Sequence, residues 1–440
     1  MKRSKGSSGQ AHRLGKGSFP YFLYLLSVLS FLCFFLPPSA LAQGKEKPKV
    51  RAVTAFVNIS RENYAAELAD ALALLRRAKA AIEQGGYEVQ TVRVVTQPFP
   101  EYTRGLPRAE AVAFIQQLTA LAAKENFLLN IGPAVLRATD DVAALDLLTE
   151  ILCRPSPPDA SAVIASADGL HANAIHASAR LIKRVSECSP RSQGTFSFAA
   201  TAMLLPYAPF FPGGYHHGSG HFFSIGLQAA NVVDEIFAAA RSQSGDPRAW
   251  ALEELTRAFE LHGQALERVA RAVEKDSGWI YQGLDATPAP LKDASIGAAI
   301  EKFTGAPFGS SGTLDAARLI TTALENVRRR FRFRTVGYMG LMLPVLEDSV
   351  IAQRWSEGRL SLDSLLAYSA VCGTGLDTVP LPGDVSEEQL ARILGDVAAL
   401  ALKWNKPLTA RLQPVAGKKA GELTAFDDPF LVNAVLQKLP

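Results

Sequence analysis

Cysteine is scarce in this chain of 440 residues: there are four, and no Cys-x-x-Cys pair. A structural zinc knuckle therefore lacks ligands at the spacing it needs. Excess charge of one sign is also missing. The formal net charge is +4, but the first 42 residues hold five Lys/Arg and no acid, and the remainder carries 41 basic against 42 acidic residues. That balance argues against nucleic acid as a partner, because phosphate binding needs a clustered basic surface. Beyond residue 42 no apolar run approaches the roughly 20 residues of a membrane-spanning helix. A Gly-x-Ser-x-Gly elbow, a Walker loop and a dinucleotide glycine fingerprint are absent as well, which leaves Ser-hydrolase, NTPase and Rossmann readings without support. With 48% hydrophobic and 20% charged residues the composition is globular, not disordered, collagenous or coiled-coil.

The N-terminus reads as a secretory signal over residues 1–42. A basic stretch precedes the 16-residue apolar run from Tyr21 to Leu36, and Ala40-Leu41-Ala42 supplies a small-residue cleavage site before Gln43. An uncleaved membrane anchor is the alternative. Export to the periplasm or beyond fits the remaining cysteines: Cys153 and Cys188 are the expected disulfide pair, with Cys372 left as a thiol.

After a polar leader (43–49), residues 50–440 read as one domain in which strand-like runs alternate with helical ones. Strands are expected at Arg51–Ile59, Val89–Val95, Phe127–Asn130, Ala162–Ala165, Thr195–Leu204, Trp279–Leu284, Arg334–Leu343, Leu365–Val371 and Leu408–Gln413. The spacing of Leu68, Leu72, Leu75 and Ile82 predicts a helix, as do 108–124, 234–241, 250–274, 314–330 and 387–402. The last of these opens with the capping box Ser386/Gln389. The alternation indicates an α/β protein with a largely parallel sheet or barrel.

Three runs end near carboxylates. Cys372-Gly-Thr-Gly-Leu-Asp377-Thr-Val-Pro-Leu-Pro-Gly-Asp384 reads as a strand-to-helix loop at the carboxyl end of the sheet, where sites are commonly built. Its glycines, Gly373 and Gly375, allow close backbone approach. Gly337-Tyr-Met-Gly-Leu-Met-Leu-Pro-Val-Leu-Glu347-Asp348 is the second, and Gln282-Gly-Leu-Asp285-Ala-Thr-Pro-Ala-Pro290 the third. Each acid alone could be a solvated loop residue. Together they offer the paired carboxylates of glycoside hydrolysis or the oxygen ligands of calcium. A glycine-rich loop, Phe211-Pro-Gly-Gly-Tyr215-His216-His217-Gly-Ser-Gly-His221, holds three of the six histidines beyond residue 42 and is a candidate substrate loop. His171 and His176 read as structural. The five arginines between Arg328 and Arg334 read as a helix end complementing its dipole.

These runs, with Phe308-Gly-Ser-Ser-Gly-Thr-Leu314 and Lys406-Pro-Leu-Thr-Ala-Arg-Leu-Gln-Pro-Val415, resemble domain-of-unknown-function family 711 from about Val50 to the C-terminus. The resemblance implies a ten-stranded α/β barrel with helices outside, similar to that of glycyl radical enzymes such as pyruvate formate-lyase. It also implies relatives that act as glycosidases removing deoxysugars from natural products. Arg334-Thr-Val-Gly337-Tyr338 looks like a glycyl-radical loop and Cys372-Gly373 like a thiyl loop. In radical enzymes, however, the glycine loop follows the cysteine loop, whereas here it precedes it, and activation needs an anaerobic partner inside the cell.

The expectation is thus an exported hydrolase, glycosidase-like, without a cofactor and acting on a small-molecule or sugar substrate. Asp377, Asp384, Glu347 and Asp285 are the candidate acid and base or nucleophile. Tyr215, His216, His217, His221, Cys372, Gly373, Gly375 and Gly337 are candidates to bind substrate. The alternative is a non-enzymatic protein holding a small molecule or calcium in the same barrel. A homo-oligomer is compatible with either.

Overall fold

The computed structural model describes residues 47–439, so the expected signal segment and most of the expected polar leader lie outside the described residues. The strands are β1 (Lys49–Val57), β2 (Val92–Thr96), β3 (Leu128–Pro133), β4 (Asp159–Ser166), β5 (Gly169–Leu170), β6 (Phe198–Ala202), β7 (Phe222–Gln228), β8 (Ile280–Asp285), β9 (Gly375–Pro382) and β10 (Leu408–Val415). They form a ten-stranded sheet in the order β8-β7-β1-β2-β3-β4-β6-β10-β9, with β5 paired to β4 off that path.

Along that path neighbours are parallel except at β1/β7 and β6/β10, and β5 pairs with β4 antiparallel. A block of five parallel strands therefore runs against the two pairs that flank it. The path ends at β8 and β9, and residues 334–346 lie between these edges. Thr335 bridges to Leu284 of β8, and Pro344 bridges to Asp377 of β9, both in parallel sense. This segment stands where the tenth stave of a barrel belongs.

Helices flank the strands. Those bearing on the site are α1 (Tyr64–Gln84), α2 (Phe99–Thr103), α3 (Arg108–Glu125), α4 (Ala143–Leu152), α5 (Ala172–Cys188), α6 (Ala230–Ala240), α7 (Pro247–Ser277), α8 (Ile296–Thr304), α9 (Thr313–Arg330), α10 (Ser349–Ser356), α11 (Leu362–Ser369) and α12 (Glu387–Trp404). In α1 the residues Leu68, Leu72, Leu75 and Ile82 are buried, as their spacing predicts. The capping box of α12 is formed, Ser386 and Gln389 each accepting the other's backbone N–H. Cys153 and Cys188, at the ends of α4 and α5, are joined as a disulfide, and Cys372 is free and buried.

Alternation along the strands separates two interiors. Val53, Ala55 and Val57 of β1 and Leu408, Ala410 and Leu412 of β10 join the main apolar core under the helices. The opposite face holds Thr54 and Phe56, and Thr409, Arg411 and Gln413, all buried. A small separate cluster of Phe210, Ala289, Tyr338 and Met342 sits apart from the main core.

Three expectations need correction. Leu365–Val371 is not a strand: α11 occupies Leu362–Ser369, started by the capping box Ser361/Ser364. A short apolar run does not by itself distinguish helix from strand. Arg334–Leu343 makes only the bridge at Thr335 and otherwise runs as loop, with Gly337 and Met339 both at positive φ. Conversely, the supposed loop from Cys372 to Asp384 is mostly strand β9. Its prolines Pro380 and Pro382 are tolerated because β9 ends the hydrogen-bonded path. β7, directly after the histidine loop, is a strand the apolar patterning did not signal.

Candidate functional site

Two irregularities in strands create the site. Between Val50 and Ala52 the pairing of β1 with β7 shifts register, so Arg51 is an extra residue re-aimed by a β-bulge. In β9 the register with β10 shifts between Leu376 and Val379, and Thr378 there has φ 46°. A β-branched residue at positive φ is strained, and such strain collects at functional positions. The shift leaves Asp377 buried beside Arg411 of β10.

Arg411 joins two carboxylates. Its Nε donates to Asp377 Oδ1 at 2.5 Å, and its Nη2 donates to Glu347 Oε1 at 2.6 Å. Phe196 and Phe211 lie against its guanidinium, with ring centroids at 5.0 and 5.6 Å. Glu347 Oε2 faces Arg51 Nη2 at 3.6 Å. All four charged groups are at least nine-tenths buried. Burial works against the charge of Arg411, but Asp377 and Glu347 outweigh it and hold its pKa above the ordinary value. Burial raises the Asp377 carboxyl, and Arg411 opposes it.

These residues open on a cavity of about 510 Å³, whose walls also carry Arg93 of β2, Asp159 of β4 and Asp428. Asp159 is half-buried on the cavity wall, and its carboxyl is hydrogen-bonded to Ser197. Burial pushes it up to about 6, against the pull of Arg93 and Arg411. Arg93 is pushed down to about 10 by the same desolvation. Asp428, whose Oδ1 accepts the N–H of Phe430, is also raised by burial. Phe210, Phe211 and Phe430 supply aromatic wall.

The expected site residues divide accordingly. Glu347 and Asp377 come together. Asp384 does not join them: it is exposed beyond the end of β9. Asp285 is fully buried and saturated, accepting from Thr287 N and Oγ1, Tyr338 N and Met339 N at 2.5 to 3.1 Å. It anchors the Gly337 loop, where a Cβ would run into its Oδ2. Its neighbour in sequence logic, Asp348, caps α10 through Val350 N and Ile351 N and also ties the start of α8 through Ile296 N and Gly297 N.

The histidine loop lies at the other end of β1 and β2. His216 N–H donates to Thr96 O at the end of β2, whereas Arg51 and Arg93 stand near the strand starts. His216 is buried, pairs through Nε2 with Gly220 O, and has its pKa lowered by desolvation. His221 meets Glu67 at 2.7 Å and stacks on Trp279. His217 is exposed, and Tyr215 is buried with its pKa raised by desolvation. None of these four lines the cavity; of that loop, only Phe211 does.

Cys372, Gly373 and Gly375 serve packing. The Cys372 carbonyl accepts from Lys406 Nζ at 2.6 Å, closing the end of α11. Gly373 N–H donates to Leu341 O, and a Cβ at Gly373 would stand 2.5 Å from Gly340 Cα. The two glycine loops thus touch backbone to backbone. Gly375, at φ 95°, lies against Thr409 of β10.

Arg51, Arg93, Arg411 and Asp159 were not among the expected site residues. Their signal was a charge inside an otherwise apolar strand, as in Val92-Arg93-Val94-Val95, where a sheet covered on both faces has no solvent to receive it. Among the described residues, no group of three or more His, Cys, Asp or Glu side chains is arranged to hold a metal ion. The carboxylates that do meet, Glu347 and Asp377, are directed at arginines, so the calcium expectation lacks a ligand set.

A family model described as uncharacterised ACR (DUF711) matches residues 43–427. The UPF0210 protein of Pyrobaculum aerophilum is 34% identical over 270 residues, 59% of this chain and 57% of that protein. That of Pyrobaculum islandicum is 29% identical over 364 residues, 80% of each chain. The match thus spans little more than half the length of the first relative and most of the second. Among solved structures, the anaerobic ribonucleotide reductase of Thermotoga maritima with citrate in the active site aligns with a TM-score of 0.43 at 10% identity, over 82% of this chain and 79% of that one. With the family model covering nearly all of the described residues, this chain belongs to the uncharacterised DUF711 family.

Proposed function

We propose that this chain is an exported hydrolase that cleaves a glycosidic bond in a small-molecule conjugate. One observation carries the reading. A carboxyl pushed up to about 6, Asp159, shares a cavity of about 510 Å³ with the carboxylates Glu347 and Asp377, which are bound to Arg411. A carboxyl raised toward neutral pH is suited to general-acid work, and it faces side chains that a guanidinium holds in place. Asp159 protonates the leaving-group oxygen. Glu347, with Oε2 free of any hydrogen bond as short as that of Oε1, acts at the anomeric carbon, directly or through a water molecule. Asp377 fixes Arg411 and through it Glu347. Export rests on the N-terminal signal pattern and on the Cys153–Cys188 disulfide, which suits an oxidising compartment.

The test is the full chain against aryl glycosides and deoxysugar conjugates. Glu347→Gln and Asp159→Asn should each lower kcat about 10²–10⁴-fold while the melting transition persists. Rates equal to the uncatalysed background across the panel, or variants as active as the parent, overturn the reading. A second reading, a binding protein on the same barrel, is favoured by the guanidinium of Arg51, whose buried Nη1 has no hydrogen-bond acceptor among the described residues; it predicts melting shifts without turnover.

A further inference from the structure

The hydrogen-bond inventory of the three arginines is uneven. Arg411 is used by Asp377 and Glu347. Arg51 is different: among the described residues its side chain makes no hydrogen bond. Its Nη2 stands 3.6 Å from Glu347 Oε2, beyond hydrogen-bond length, and its Nη1 is buried without any partner. Yet the side chain is only 7% exposed. Its guanidinium lies over the ring of Phe430 at 5.0 Å, which holds the plane in one orientation. Arg93 is nearly as poor. It is buried, and among the described residues its side chain makes one hydrogen bond, from Nε to Thr91 Oγ1 at 3.4 Å. Asp159 acts on it electrostatically, and among the described residues no ion pair joins Arg93 to a carboxylate within 4 Å.

Both side chains line the same cavity, one from each of two paired strands, near the strand starts. A buried guanidinium without acceptors is costly, since it forfeits the hydration of five N–H donors and receives nothing for them. One such group, Arg51, beside the weakly bonded Arg93 on the same cavity wall is what an oxyanion would satisfy, and guanidinium forks match carboxylate and phosphate oxygens in pairs. The acids nearby do not fill this role: Asp377 and the near oxygen of Glu347 serve Arg411, and Asp428 accepts from Phe430 N.

We propose that Arg51 and Arg93 form a subsite for an anionic group, a carboxylate or a phosphate ester, carried by the substrate. The substrate class becomes an acidic sugar or a sugar conjugate bearing an acid. The statement of substrate rests on the hydrolase reading, but the anion subsite itself does not.

Isothermal titration of the full chain with glucuronate, glucose 6-phosphate and glucose tests it at low and moderate salt. Either anion should bind at least about tenfold more tightly than glucose, and which of the two does so identifies carboxylate or phosphate. Arg51→Gln and Arg93→Gln should each remove that preference about tenfold, whereas Asp384→Asn, exposed and off the cavity, should keep it. The wild-type comparison needs no variant to fold. Equal binding of glucose and both anions, or no binding of either anion, overturns the subsite even if neutral glycosides turn over. Anion preference without turnover of any conjugate leaves the subsite standing and removes the hydrolase.

Discussion

Arg411 Nε stands 2.5 Å from Asp377 Oδ1, across the parallel pairing of β10 and β9. Without that contact two carboxylates would be buried side by side. Arg411→Gln should therefore destabilise the fold by about 3–5 kcal/mol, the usual cost of removing one partner from a buried pair. Urea denaturation at neutral pH measures it. Arg411→Lys should recover only part of the loss, since an ammonium cannot serve Asp377 and Glu347 with separate nitrogens. A Gln variant within 1 kcal/mol of the parent would show the network to be open to water.

Asp159 predicts a pH dependence of the opposite kind to that of an ordinary carboxylate. Its folded-state pKa, about 6, is above the value near 4 of an unfolded chain. Its contribution to stability is full below pH 4 and is lost as pH rises through about 6. Asp159→Asn should therefore gain on the parent between pH 4 and 7, by no more than about 3 kcal/mol because the carboxyl touches the cavity. Chemical denaturation of both proteins at pH 4 and 7 gives the difference. A difference that does not change with pH would place the carboxyl in solvent, and a variant that loses on the parent with rising pH would pair the carboxylate with Arg93. In the hydrolase, kcat should fall above pH 6 as the acid loses its proton, a limb that the Asn variant would lack.

How much of this could be read from the chain depends on the kind of signal. Helices with long amphipathic stripes, such as α1 and α12, were legible because 3.6-residue spacing leaves little ambiguity. The disulfide was legible because few cysteines remained to pair. Asp377 and Glu347 were legible as acids at the ends of apolar runs, but for a reason the structure changes: Asp377 belongs to a bulged strand, not to a loop. The arginines were not legible, because the groups they face lie far away in sequence, Glu347 from Arg51 by 296 positions. The histidine loop misled for the converse reason. Its composition looked reactive, while Glu67 and Trp279, which occupy His221, are invisible to local reading.

The contact of the two glycine loops gives a matched pair of substitutions. At Gly340 an added Cβ would overlap the backbone of Gly373, and neither loop can retreat without breaking the Gly373 N–H to Leu341 O bond. Gly340→Ala should cost about 1–3 kcal/mol or more. Gly395 lies inside α12 with nothing within 4 Å of a built Cβ. Gly395→Ala should stabilise by about 0.4–1 kcal/mol through helix propensity and reduced freedom of the unfolded chain. Thermal melts of both variants check the sign; equal shifts would mean that the loops do not touch.

Asp285 and Asp384 were both expected to act on substrate, and their surroundings now separate them. Asp285 Oδ1 and Oδ2 take four hydrogen bonds that hold Thr287 and the Tyr338–Met339 turn, in a place with no exposure to solvent. Asp285→Ala strands those donors, so it should destabilise by about 2–4 kcal/mol, the cost of several unsatisfied buried groups. Asp384 is exposed, and Asp384→Asn should change stability by less than about 0.5 kcal/mol. It should also leave turnover unchanged, because the residue does not line the cavity. Denaturation curves and rates for the two variants decide the matter. A stable Asp285→Ala protein without activity would return Asp285 to the chemistry, and a stable, inactive Asp384→Asn protein would do the same for Asp384.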